Sequence, residues 1–236
     1  MRAHPAAVVL LSGGLDSAVV MALCRSEGFA AFALTIDYGQ RHRQELDAAR
    51  RIAQALHAEK HIVLSVDLTQ WGGSALTDTQ AVPTGRDPLV MGMDIPVTYV
   101  PGRNTIFLSL AMAWAETLET GDLFIGAHVL DYSGYPDCRP EYFAAFERMA
   151  NLATKAGIER ESRFSIHAPL IGMTKAQIVR TGARLRVPLE LTSSCYQPTP
   201  DLKACGVCDS CVLRLRAFHE AGIPDPIRYA EGIPRL

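Results

Sequence analysis

The chain has 236 residues, 48% of them hydrophobic, and a formal net charge of -2. That length allows one ample core with a small appended element, and the charge gives no basic field of the kind that follows a phosphate backbone, so a small substrate is expected and no nucleic acid. No apolar stretch reaches the about 18 residues of a membrane helix, and Val8 to Leu11 is too short for a cleavable targeting segment, so no membrane partner and a cytoplasmic location are expected.

Taken in chain order, the first element is the apolar run Ala7 to Leu11, a buried strand. It breaks into Ser12-Gly13-Gly14-Leu15-Asp16-Ser17 and passes into a helix-compatible stretch. Strand, glycine loop and helix N-terminus together form an anion site: the glycines admit close backbone approach, the free helix amides and dipole favour negative charge, and Ser12 and Ser17 add hydroxyl donors. Neither Gly-x-x-x-x-Gly-Lys-Ser/Thr nor Gly-x-Gly-x-x-Gly occurs, which leaves a third type of phosphate loop. Further strands are expected near Ala31 to Ile36, His61 to Ser65, Leu123 to Ala127 and Ser165 to Ala168, short and apolar enough for burial on both faces. Helical periodicity lies between them, at Leu46, Ala49, Ile52, Ala53 and Leu56, and at Ile106, Phe107, Leu110, Ala113, Trp114 and Leu118, whose aromatics are expected in the core. Alternation of this kind gives an α/β chain with a parallel sheet. Residues 67 to 101, rich in glycine and proline, break the pattern as an irregular insert suited to a substrate or partner loop.

Ligands of an open parallel sheet bind beyond the carboxyl ends of its strands. Asp37-Tyr38-Gly39-Gln40-Arg41-His42 follows the second strand. His128 and the string Asp131-Tyr132-Ser133-Gly134-Tyr135-Pro136-Asp137-Cys138-Arg139 follow the fourth. Tyr38, Gln40, Arg41, Asp131, Tyr135, Asp137 and Arg139 are the candidate substrate contacts, because core packing does not select so polar a set. His42 and His128 are candidates by location alone; His57, His61 and His219 are read as surface or packing residues. Arg103, in Val100-Pro101-Gly102-Arg103-Asn104 at a helix start, suits a phosphate or carboxylate through its fork. Lys175 opens a later helix after Thr174, and as one of four lysines among 23 basic residues it is placed to carry phosphate charge.

Four of the six cysteines, Cys195, Cys205, Cys208 and Cys211, crowd together, which reads as metal binding in a reducing compartment rather than a disulfide framework; Cys24 and Cys138 stand apart. Four thiolates close a structural zinc tetrahedron. The same Cys-x2-Cys-x2-Cys spacing also begins an iron-sulfur ligand set, although the further downstream cysteine of such sets is missing.

The loop string resembles the signature of the PP-loop ATP pyrophosphatases, which cleave between the α- and β-phosphates. With the Asp37 to His42, Val100 to Asn104 and Tyr132 to Arg139 strings and the cysteine cluster, nearly the whole chain resembles the 7-cyano-7-deazaguanine synthase family of queuosine biosynthesis. The resemblance implies a parallel-sheet, adenine-nucleotide alpha hydrolase-like fold with helices on both faces: a PP-loop domain over 1–190 carrying the insert, then a zinc-binding helical tail over 191–236. It maps one structural zinc onto Cys195, Cys205, Cys208 and Cys211, and the nucleotide loop onto Leu11, Ser12, Gly13, Gly14, Leu15, Asp16, Ser17, Ala18, Val19, Val20 and Met21. It implies a homodimer.

The implied reaction joins 7-carboxy-7-deazaguanine and ammonia at the cost of ATP. A carboxylate cannot expel oxide; AMP transfer makes a leaving group, ammonia gives the amide, and a second adenylation of the amide oxygen permits dehydration to the nitrile. On that reading Ser12, Gly13, Gly14, Asp16, Ser17 and Lys175 hold the triphosphate, Asp16 stands nearest the accompanying magnesium, and Asp16, Ser17, Lys175 and Arg103 form the catalytic set. The segment Asp131 to Arg139 is expected to hold the deazapurine. A PP-loop tRNA thiolase is the alternative, needing a sulfur-carrying cysteine and a basic RNA surface. A noncatalytic zinc module leaves the loop and Lys175 unexplained.

Overall fold

A computed structural model describes residues 4–86, 91, 94–128, 134–159 and 163–233. Five strands, β1 (Ala6–Leu10), β2 (Ala30–Asp37), β3 (Lys60–Ser65), β4 (Asp122–Phe124) and β5 (Ser165–His167), form one all-parallel sheet in the order β3-β2-β1-β4-β5. The helices are α1 (Leu15–Ser26), α2 (Gln44–Ala55), α3 (Arg103–Thr117), α4 (Pro140–Ala153), α5 (Lys155–Glu159), α6 (Lys175–Arg184) and α7 (Asp209–Ala221). All five strands and both periodic helices stand where the sequence pattern places them, with ends shifted by a few residues.

Every residue of β1 is buried. Side chains alternate across a strand, so Val8 and Leu10 join the apolar layer beneath α3 and α4, while Ala7 and Val9 join Leu11 in the layer beneath α1, α2 and α6. Val8 sits in register with Phe32 of β2 on one side and Leu123 of β4 on the other. The chain runs outward from β1 through β2 to β3 and then returns to β4 on the opposite flank, which makes the β1/β4 boundary the point where strand order reverses. β4 ends before the expected Ala127. A Cβ on Gly126 would lie 3.1 Å from the Ser17 amide nitrogen, so glycine is what lets the exit from β4 press against the start of α1.

Phe107 and Trp114 are only partly buried and Ala113 is exposed, against the expectation of a core stripe. Phe107 tilts against Tyr38 with ring centres 5.5 Å apart, and Trp114 meets Phe32 edge-on at 6.0 Å. Leu108, Ala111 and Ala115 make the buried face of α3 instead. In the insert, the described residues form no helix or strand, yet Leu68, Ala75, Leu76, Val82 and Val100 are buried. Its far limb joins the tail through an antiparallel bridge between Thr84 and Cys208 and a bond from the Gly85 amide to the Val207 carbonyl at 2.9 Å. Helix α6 is held at its start by a capping box between Thr174 and Gln177, and α7 packs beside it. Among the described residues no helix is long and apolar enough to cross a membrane.

Candidate active site

The glycine loop lies where the strand order reverses. Gly13 has φ of +88° and abuts α2 so closely that a Cβ would stand 2.2 Å from the Glu45 carbonyl oxygen; two separate constraints therefore demand glycine there. Ser17 ties the turn together. Its hydroxyl donates to the Gly14 carbonyl at 3.1 Å and accepts the Ser12 amide at 3.2 Å. Segments remote in sequence complete the loop: the Ser193 amide donates to the Gly13 carbonyl at 2.9 Å and the Leu15 amide to the Ser194 hydroxyl at 3.4 Å. Ala18, Val19, Val20 and Met21 are fully buried in α1, where they anchor the loop and offer no polar atom of their side chains to a ligand.

Asp16 and Lys175, which 159 positions separate, meet at 2.5 Å through Oδ2 and Nζ, with His128 Nε2 3.6 Å from the same oxygen. Burial opposes ionisation of Asp16, but Lys175 and then His128 outweigh it and hold the carboxyl below its usual range. Its other oxygen, Oδ1, is buried with no hydrogen-bond partner among the described residues. An orphaned carboxylate oxygen beside a phosphate-type loop suits a hard divalent cation.

These groups open into a cavity of about 300 Å³. Its walls are apolar at Leu34, Ile36, Leu76, Phe107 and Ile125, and polar at the loop and at a cluster of phenols around Arg103. The Arg103 guanidinium lies 5.8 Å from the Tyr135 ring centre. Burial works against its charge, yet Tyr38, Tyr135, Tyr196 and Asp137 together hold its pKa above the ordinary arginine value. The neighbouring Tyr135, reinforced by burial, pushes the Tyr196 phenol well up, and burial does the same for Tyr38. The result is a fixed cation flanked by protonated phenols, a receptor for an anion or a carbonyl.

Several candidate contacts stand elsewhere. Gln40 is buried outside the cavity lining; its Oε1 accepts the Tyr38 amide at 2.8 Å and its Nε2 donates to Glu45 Oε1 at 2.7 Å. Arg41 is exposed and donates to the Gln80 carbonyl at 2.9 Å, bracing the insert. Asp137 is spent on α3, where Oδ2 accepts the Asn104 amide at 3.0 Å. Arg139 turns back on the Pro136 carbonyl at 3.0 Å. Asp131 lies outside the described residues. From the post-strand strings, Tyr38 and Tyr135 reach the cavity, joined by His42, His128 and Cys138.

Beside the cavity the Sγ atoms of Cys195, Cys205, Cys208 and Cys211 all lie within 4.8 Å of one another. In a tetrahedron with metal–sulfur bonds of about 2.3 Å, sulfurs stand about 3.8 Å apart, and Cys205 and Cys211 are 3.9 Å apart. Hydrogen bonding among the crowded thiols pushes Cys208 down and Cys195 and Cys211 up. Amides already point at two sulfurs: Cys205 N at Cys195 Sγ (3.2 Å) and Cys208 N at Cys205 Sγ (3.4 Å). Such a donor set can hold a metal ion.

Residues 6–222 match the family model described as "Queuosine biosynthesis protein QueC". The chain belongs to the QueC family. A relative from Desulfatibacillum aliphaticivorans, named 7-cyano-7-deazaguanine synthase, is 60% identical over 223 residues, covering 94% of this chain and 96% of its own. One of the same name from Geobacter metallireducens is 58% identical over 227 residues, covering 96% and 94%. Among solved structures, an NMN synthetase from Francisella tularensis is 17% identical with a TM-score of 0.49, covering 94% of this chain and 79% of that one.

In this QueC member, sequence reasoning passed over Ser193, Ser194, Gly126, Glu45, Arg86 and Tyr196, which line or close the cavity. Gly126 carried a signal, a lone glycine ending an apolar strand. The serines and Tyr196 carried a weaker one, adjacency to Cys195.

Proposed function

We propose that this chain converts 7-carboxy-7-deazaguanine, ammonia and ATP to 7-cyano-7-deazaguanine by successive adenylation of carboxylate and amide. The observation that carries the reading is its near-full-length identity of 58 to 60% to curated synthases. The loop geometry supports it: Ser12 to Ser17 with Lys175 grip the triphosphate, and the positive charge of Lys175 offsets that of the departing pyrophosphate. Magnesium accompanying the nucleotide would be held by Asp16 Oδ1 and shield phosphate charge. Arg103, with Tyr38 and Tyr135, orients the carboxylate toward the α-phosphate, while the apolar walls exclude the water that would hydrolyse an acyl adenylate. The four cysteines would hold zinc, which would let four thiolates coexist and tie the 191–236 tail to the 1–190 nucleotide unit as a structural metal. The enzyme works in the cytoplasm as a homodimer, and a monomer by light scattering at micromolar concentration would contradict the latter.

The thiolase alternative needs a reactive thiolate. Burial pushes Cys138 up to about 11 and Cys24 up to about 12, so neither is poised as a sulfur carrier. Incubation with the carboxy-deazaguanine, ammonium and ATP should yield nitrile detectable by mass spectrometry, with no ATP turnover on tRNA. Turnover on tRNA and none on the deazaguanine would overturn the reading.

A further inference from the structure

His42 lines the cavity. It lies in the turn before α2 with only 5% of its side chain exposed, and its Nε2 is 3.0 Å from Glu45 Oε2. Glu45 is itself fixed, because its other oxygen accepts from Gln40 Nε2 at 2.7 Å. An ionised carboxylate only accepts, so Nε2 carries a proton and, in the neutral ring, Nδ1 presents a lone pair. That Nδ1 is buried and has no hydrogen-bond partner among the described residues. Tyr196 backs the ring at 5.8 Å. The backbone of Glu45 packs against the loop at Gly13, and His42 and Glu45 line the same cavity as Ser12, Gly14 and Asp16.

Incoming ammonia poses the matching problem. Once its nitrogen bonds to the carboxyl carbon, the tetrahedral adduct carries a positive nitrogen that readily expels ammonia again unless it loses a proton. Resting on the synthase reading, we propose that His42 Nδ1 is the general base of the amidation step, with Glu45 as its positioning residue and Gln40 orienting Glu45. The C–N bond forms from the ammonia lone pair, a nitrogen-bound proton moves to Nδ1, and the C–O bond to AMP breaks with its electron pair leaving on the phosphate oxygen. The imidazolium, stabilised against Glu45, then returns its proton to water. Nothing is oxidised or reduced.

Two readouts separate this role from a structural one. Exchange of labelled pyrophosphate into ATP with 7-carboxy-7-deazaguanine requires adenylation but no ammonia, whereas amide formation requires both. His42→Asn should keep exchange within about threefold of wild type while slowing amide formation about 100-fold, the scale of a lost general base. Glu45→Gln, which leaves the imidazole in place, should show the same split to a smaller degree. Unchanged amide formation in His42→Asn, or equal loss of exchange and amidation in both variants, would overturn the proposal in favour of a packing or nucleotide-binding role. Absence of exchange in the wild type would refute the synthase reading and this role with it.

Discussion

At one end of the cavity, six consecutive residues, Ser12 to Ser17, make a loop whose hydrogen bonds are largely its own. At the other, Tyr38, Arg86, Arg103, Tyr135 and Tyr196 arrive from five separate segments and are held by tertiary contacts, among them the Arg86–Asp209 ion pair at 2.9 Å. The first end is a property of local sequence and backbone conformation. The second exists only when the insert, the tail and the cysteine cluster are docked on one another, so perturbations of the tail should reach the substrate end more strongly than the loop, which takes two hydrogen bonds from the tail, at Ser193 and Ser194.

The largest effect is expected from Cys208→Ser. Structural metal binding contributes on the order of 10 kcal/mol of folding free energy, and Cys208 also pairs with Thr84 of the insert. Metal content should fall, and hydrogen exchange should quicken across residues 82–86 and 195–211 before it does in β1; retention of full metal and protection would remove Cys208 from the ligand set. Next comes the buried Arg214–Asp225 pair, two contacts at 2.8 and 2.9 Å with Tyr229 donating to the same carboxylate. Asp225→Ala leaves the Arg214 charge buried without a carboxylate, with neutral acceptors at Thr192 and Leu189 remaining, at a cost of about 3 kcal/mol in urea unfolding. A loss below about 1 kcal/mol would mean that the guanidinium finds water.

At the loop, Lys175→Ala and Asp16→Asn should leave the fold intact and cut turnover at least ~100-fold. Because the Asp16 carboxyl lies below its usual value of 3.8, its ionised form is favoured in the folded state. The stability it contributes is present above that value and disappears only as pH falls through the lower folded one, so no loss traceable to Asp16 is expected between about pH 5 and 8. Urea unfolding of wild type and Asp16→Asn should therefore differ through this carboxyl's protonation only below about pH 4. The smallest effect belongs to Cys138→Ser. Its sulfur accepts from Asn104 Nδ2 at 3.3 Å, which a hydroxyl also does, and turnover should change less than about threefold; complete loss would revive a covalent sulfur step.

The same contrast explains what the sequence disclosed. The loop was legible because its geometry is encoded in contiguous residues, and the cysteines because ligand spacing is itself the signal. Lys175 stands out as a rare lysine at a helix start, and it meets Asp16 from 159 positions away. The sheet followed from short apolar runs. Polarity after a strand was a poorer guide: Asp137 satisfies the backbone at the start of α3, and Arg41 and Arg139 serve carbonyls at the surface. Only tertiary placement separates those from Tyr38 and Tyr135, and only the fold brings Ser193 and Ser194 back to the loop.

On the synthase reading one phosphate loop serves both dehydrations in succession. Supplied with 7-amido-7-deazaguanine, ATP and magnesium but no ammonia, the protein should form the nitrile and release AMP and pyrophosphate in equal amounts, and Asp16→Asn should impair this half-reaction together with the first. Release of ADP and phosphate would contradict cleavage between the α- and β-phosphates, and an amide left unconsumed would show that this chain stops at amide formation.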